Sequence, residues 1–165
     1  MKQMRNLIHR FTRRTENGQT LAEFALIAPI FFLMIFGIVD LSRAFQSYVT
    51  IQEAARGGAR YAVTGRIDCP GVAIQNRNNC ILATVAERVK TLTRSNTITT
   101  TYRKWDYPAY ADPPVQNDAG QQCDAVEIQV DYLYRPITPI FSKIIGNVTM
   151  VARERLVNEP FGTCG

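Results

Sequence analysis

One histidine, four cysteines and fourteen carboxylates are the residues of this 165-residue chain from which chemistry could be built. His9 lies in a basic N-terminal stretch with Lys2, Arg5, Arg10, Arg13 and Arg14, ahead of a long apolar run, so residues 19–165 offer no histidine for a triad or a metal site. Cys69, Cys80, Cys123 and Cys164 stand eleven, forty-three and forty-one positions apart, which matches neither zinc-site nor C-x-x-C redox spacing. Gly57-Gly58 falls within a helical pattern and has no phosphate-loop lysine. Glu127 and Asp131 alternate with apolar residues, as the wet face of a strand would. No enzyme activity, cofactor or metal is expected.

The carboxylate in the most unusual setting is Glu23. It heads Phe24–Val39, sixteen residues without a charge, and with Leu21, Ala22 and Leu41 the run reaches the roughly twenty residues that a bilayer-spanning helix needs. An ionised carboxylate at that place is costly unless it is paired or reaches the headgroups. Five bases and one acid precede the run, so the positive-inside bias places residues 1–18 in the cytoplasm and the rest of the chain outside. The expected organisation is a basic cytoplasmic leader (1–18), a transmembrane segment (19–41), an extension of the same helix (42–65) and an exported α+β domain (66–165). Ser42-Arg43-Ala44 has the small residues of a signal-peptidase site, but Asp40 and Arg43 fall where that site should be and no helix breaker precedes it. Asp40 and Arg43 instead read as marking the outer water boundary.

A polar leader ending in Gly18, then four residues, then Glu23-Phe24 and the apolar run, forms a G-x-x-x-x-E-F arrangement. With Pro29, Gly37-Ile38-Val39-Asp40 and Ala54-Ala55-Arg56-Gly57-Gly58-Ala59-Arg60-Tyr61, the stretch from Gly18 to Arg66 resembles the N-terminal signature of TadE-like minor pseudopilins of the tight-adherence (Flp) branch of type IV pili. The resemblance implies cleavage between Gly18 and Gln19 by a prepilin peptidase. It also implies that Glu23, beside Phe24, pairs with the N-terminal amine of a neighbouring subunit and sets axial register. The implied partners are the membrane, other pilin or pseudopilin subunits and the inner-membrane assembly platform. The implied location is the bacterial inner membrane with the domain in the periplasm, or the pilus after assembly. The family's major pilin is very short, so this chain does not read as the bulk filament subunit. An alternative is an uncleaved, signal-anchored periplasmic binding or adhesion module, for which Trp105, Tyr107 and Tyr110 could offer a carbohydrate-stacking surface.

The formal charge of +5 is concentrated in residues 1–18, which carry +4, leaving +1 on residues 19–165. That distribution suits a topogenic signal and excludes a nucleic-acid-binding stripe on the exported part. An even cysteine count beyond the anchor reads as a disulfide framework. Of three connectivities, Cys69–Cys80 with Cys123–Cys164 is the one expected. The first closes a short loop and the second ties the C-terminus to the start of a strand.

Helical periodicity continues past Val39 through Leu41, Phe45, Tyr48, Val49, Gln52, Ala55, Ala59 and Ala62, with Glu53 and Arg56 spaced for a surface pair. Gly57 and Gly58 cost about 1 kcal/mol each in a helix, which predicts either a close approach by another part of the chain or by a neighbouring subunit, or a kink. Pro29 removes one helical hydrogen bond and permits a kink in the membrane segment. Thr64-Gly65 should end the helix. A second helix is expected over 81–92 with Leu82, Val85, Ala86, Val89 and Leu92 on one face. Strands are expected at 96–105, 125–134 and 148–157, with an exposed loop at 106–122 and a short helix at 140–145. The predicted fold class is α+β: a pilin-like long N-terminal transmembrane helix packed on a small antiparallel sheet of about three strands, with a second short helix.

Overall fold

The computed structural model describes residues 2–74, 76–92, 97–160 and 164, with side chains from Gly18 onward. The side chains of the basic leader, His9 included, lie outside the described residues, as does Asn96 at the expected start of the first strand. The elements in order are α1 (Lys2–Val63), α2 (Arg77–Val89) with a closing 3-10 turn at Lys90–Leu92, β1 (Ile98–Trp105), β2 (Val115–Gln116), β3 (Ala125–Tyr134), α3 (Pro139–Ile145) and β4 (Val148–Val157). Two compact units divide the chain, residues 1–41 and 42–165.

In the first unit the described part of α1 is apolar on every side. Leu26 is 73% exposed, Phe24 67% and Phe36 50%. A helix that is apolar all round belongs in a core or in lipid, and from Gly18 onward α1 is long and apolar enough to cross a membrane.

The second unit is α+β. Its sheet has the order β2-β1-β3-β4, antiparallel throughout. Three strands are long; the fourth is the two-residue β2, paired with Arg103 and Lys104 from within the segment expected to be loop. β3 alternates as its sequence does, with Val126, Ile128, Val130, Tyr132 and Tyr134 buried. Its other face carries a polar lattice in which Arg103 pairs with Glu127 at 2.5 Å and both Arg103 and Arg153 donate to Gln129.

The buried face of α1 matches the one expected at Ala55, Ala59 and Ala62 and departs from it nearer Ser42. Ser47, Ile51, Ala54, Ala55, Ala59 and Ala62 are buried, whereas Phe45 is 69% exposed and Tyr48 and Val49 are also exposed. Apart from Ile51, these buried residues of α1 are small, and Gly58 lies against Ile128 of β3. Arg56 does not pair with Glu53; its partner is Glu154 on β4 at 3.8 Å. In α2 the buried face is Cys80, Ile81, Val85 and Val89, which shares Val85 and Val89 with the one expected, while Leu82 is half-buried and Ala86 exposed. The helix begins four residues before its apolar pattern because Asn76 caps it, accepting from the amide of Asn79 at 2.8 Å.

α1 ends where its sequence says. Thr64 and Gly65 amides bond to the carbonyls of Tyr61 and Ala62, and Gly65 takes φ of 65°.

Candidate functional site

The segment Gly18–Pro29 sits on α1 with its side chains turned outward. A Cβ built on Gly18 would meet nothing within 4 Å, and the Gly18–Gln19 peptide lies within α1. One turn on, the Gln19 side-chain amide donates to Glu23 Oε1 at 3.2 Å. Phe24 projects beside it, and Pro29 lies inside the helix without ending it. Gly18, Gln19, Glu23 and Phe24 thus share slightly under two turns of one helix. At the far end of the apolar run Asp40 is 7% exposed, so it is buried rather than washed by water.

Gly57 and Gly58 face different neighbours. A Cβ on Gly58 would lie 2.6 Å from Val85 Cγ2 and 3.3 Å from Ile128 Cγ2, so the missing side chain is what lets α1 approach α2 and β3. A Cβ on Gly57 would run into the guanidinium end of Arg88, a long side chain able to move aside.

The cysteines pair as Cys69–Cys80 and Cys123–Cys164, with Cα separations of 5.5 and 5.9 Å. The first pins the connection after α1 to the first turn of α2; the second joins a residue just ahead of β3 to the C-terminal segment.

Around these bridges lies a polar clasp that sequence reasoning missed. The Arg77 guanidinium donates to the carbonyl of Ala62, in the last turn of α1, and to that of Gly120 at 2.6 Å. Burial lowers the Arg77 pKa, and Asp118 and Asp124 act against that shift. Asp124, 7% exposed, accepts from the amides of Tyr107 and Gln121. Lys104 reaches Asp106 at 2.7 Å, Asp118 at 3.5 Å and Asp124 at 3.8 Å. The buried Asn158 amide donates to the carbonyls of Ala119 and Gln121. These partners lie up to 43 positions apart for Arg77 and 39 for Asn158, so no local pattern announces them. A cleft of about 560 Å³ opens beside Arg77, Tyr107, Asn158 and Glu159. Of its polar groups the Arg77 guanidinium and the Asn158 Nδ2 are spent on holding the loop, whereas Asn158 Oδ1 is buried without a hydrogen-bond partner. Among the described residues no group of three or more His, Cys, Asp or Glu side chains could hold a metal ion.

The surface expected for carbohydrate stacking is already occupied. Trp105 is 7% exposed, its indole N–H donates to Asp112 at 2.7 Å, and the Arg155 guanidinium lies 3.8 Å over its ring. Tyr110 donates its hydroxyl to the carbonyl of Cys123, and its ring meets Tyr107 edge-on. Trp105 and Tyr110 thus have their faces and polar tips engaged within the fold, and Tyr107, 42% exposed, is the one of the three that stands exposed to solvent.

Residues 18–60 match the family model described as TadE-like protein, about a quarter of the chain. The match covers the Gly18–Pro29 segment and Gly57-Gly58, and is consistent with a TadE-like protein of the Tad pilus system. Such a protein fits the cell envelope, with a membrane helix and pilin-type partners. No curated protein and no solved structure matches the chain.

Proposed function

We propose that this chain is a minor pseudopilin that takes part in assembling a tight-adherence (Flp) pilus, after a prepilin peptidase removes residues 1–18. The observation that carries the reading is the juxtaposition of Gly18 with Glu23, little more than one turn apart on α1, where the apolar run of that helix begins.

The chemistry of processing is hydrolysis of one peptide bond. Water adds across the Gly18–Gln19 amide, leaving a carboxylate on Gly18 and an amine on Gln19. With no side chain at Gly18 the peptidase can bring its catalytic groups close to that carbonyl. The new amine, like other chain-terminal amines, titrates near pH ~8 and is largely cationic at neutrality. It sits about 6 Å along the helix from Glu23. In lipid that carboxylate is best neutralised by a cation, and the amine of an adjacent, axially displaced helix supplies one. Pairing of this kind sets the stagger between subunits and favours a non-closing, helical assembly. Pro29 gives the spanning helix a point of bending as it leaves the bilayer. Gly58 serves packing of residues 42–165, and the two disulfides suit an exported domain in the periplasm of a bacterial inner-membrane protein. The chain itself contributes no catalysis.

The test is piliation in cells carrying Glu23→Gln or Glu23→Val. Both variants should accumulate in membranes and be processed, yet leave surface fibres reduced or lost. Normal fibres with Glu23→Val would overturn the assembly role.

A further inference from the structure

The connection from β3 to β4 is a cluster of exposed aliphatic residues. Ile137 is 58% exposed, Ile140 48%, Ile144 74% and Ile145 58%, and none of the residues of α3 is buried. The spacing of Ile137, Ile140 and Ile144 places them along one side of the turn and helix. Arg135 and Lys143, both exposed, flank them. Five solvent-facing apolar groups within a dozen residues, counting Val148, are more than a soluble tip ordinarily shows to water.

Register within residues 42–165 says where this tip lies. Gly58 packs on Ile128, and the amide of Glu159, just past the end of β4, bonds to the carbonyl of Val63. The Ala125/Val157 end of the sheet is therefore beside the C-terminal end of α1, and the Tyr134/Val148 end points back toward Ser42. From Gly58 back to Ser42 the helix rises about 24 Å. From Ile128 to Tyr134 the strand advances about 20 Å. The α3 tip thus stands at the end of the folded unit where the chain enters it, level with the residues that follow the apolar run.

We propose that α3 and the preceding Ile137 dock on the outer leaflet of the bilayer that α1 spans, an inference that rests on the membrane anchoring adopted above. The occupant is a lipid surface because the covalent path brings it there: the chain leaves lipid at about Leu41 and the tip lies beside the first turns beyond. The aliphatic residues enter the boundary between headgroups and acyl chains, to a depth of about 5–10 Å for an interfacial helix. Arg135 and Lys143 meet lipid phosphates as their stems lie along the interface. The contact gives the outer unit a second point of attachment besides the helix, released when the subunit leaves the membrane.

The experiment uses the full chain, one copy per nanodisc, with an environment-sensitive fluorophore on a single introduced cysteine in the disulfide-bonded protein. Phe32→Cys reports the spanning run, Ile144→Cys the tip, and Gln122→Cys the opposite end of the unit. The expected result is blue-shifted emission at Ile144, with quenching by nitroxide-labelled lipid below that at Phe32 and well above that at Gln122. Ile137→Ser combined with Ile140→Ser, both at exposed positions, should return the Ile144 label toward the emission of Gln122. If Phe32 is lipid-quenched while Ile144 behaves like Gln122, the tip does not dock and the anchoring stands. If Phe32 is itself unquenched, the anchoring fails and the inference falls with it. A blue shift at Ile144 that appears only when two copies share a disc assigns the tip to a second subunit and overturns the lipid assignment.

Discussion

Gly58 on α1 faces Val85 on α2 so closely that a Cβ would lie 2.6 Å from Val85 Cγ2. Val85 is fully buried and cannot retreat. At Gly57 the obstruction is instead the far part of Arg88, an exposed and flexible side chain. The two neighbouring glycines therefore have opposite expectations. Gly58→Ala gains about 1 kcal/mol of helix propensity and loses about 1–3 kcal/mol to overpacking, so it should lower the unfolding midpoint. Gly57→Ala should leave stability unchanged or raise it by up to about 1 kcal/mol. Denaturant unfolding of both variants reads the difference, and equal effects would contradict the packing described.

The two disulfides close loops of different length, with separations of 11 and 41 residues. Loop-closure entropy makes the longer bridge worth about 1 kcal/mol more, within a range of about 2–4 kcal/mol for each. Replacing Cys123 and Cys164 by Ser should destabilise the unit of residues 42–165 more than replacing Cys69 and Cys80. Non-reducing mass mapping of the native protein should recover those two pairs and no others.

Lys104 and Tyr102 predict how stability falls in alkali. The hydrogen bond to Asp106, with Asp118 and Asp124 nearby, raises the Lys104 pKa above its ordinary 10.5 against the opposing effect of burial. Burial raises the Tyr102 hydroxyl above 10.0. In both cases the folded chain holds its proton more tightly than the unfolded one. The contribution is fully present below the unfolded pKa and is lost as pH rises through the folded value. Unfolding midpoints should therefore decline through the alkaline range. Lys104→Met should be less stable at neutral pH, with a shallower alkaline decline; an unchanged slope would contradict the assignment.

Legibility from the sequence followed the range of the interactions. β3 and β4 were readable to the residue because alternation is a property of neighbours, and the Gly18–Phe24 arrangement is contiguous. The buried face of α1 was readable at Ala55, Ala59 and Ala62 but not nearer Ser42, since choosing between Phe45-Tyr48-Val49 and Ser47-Ile51-Ala54 depends on which side the distant strands cover. Asn76 as a helix cap hid in a polar stretch that looks like loop. β2 is too short to show a period. The Arg77–Asp124–Asn158 clasp joins distant positions and leaves no local trace. Trp105 looked available because its cover, Arg155, arrives from another strand.

Processing between Gly18 and Gln19 is the step on which the functional account turns, and intact mass of the membrane-extracted chain, with and without a prepilin peptidase, measures it directly. The account predicts a species beginning at Gln19 when the peptidase is present, the full chain when it is absent, and the full chain in both cases for Gly18→Arg. A chain that keeps residues 1–18 in the presence of active peptidase, or one that begins at Phe45, would contradict it.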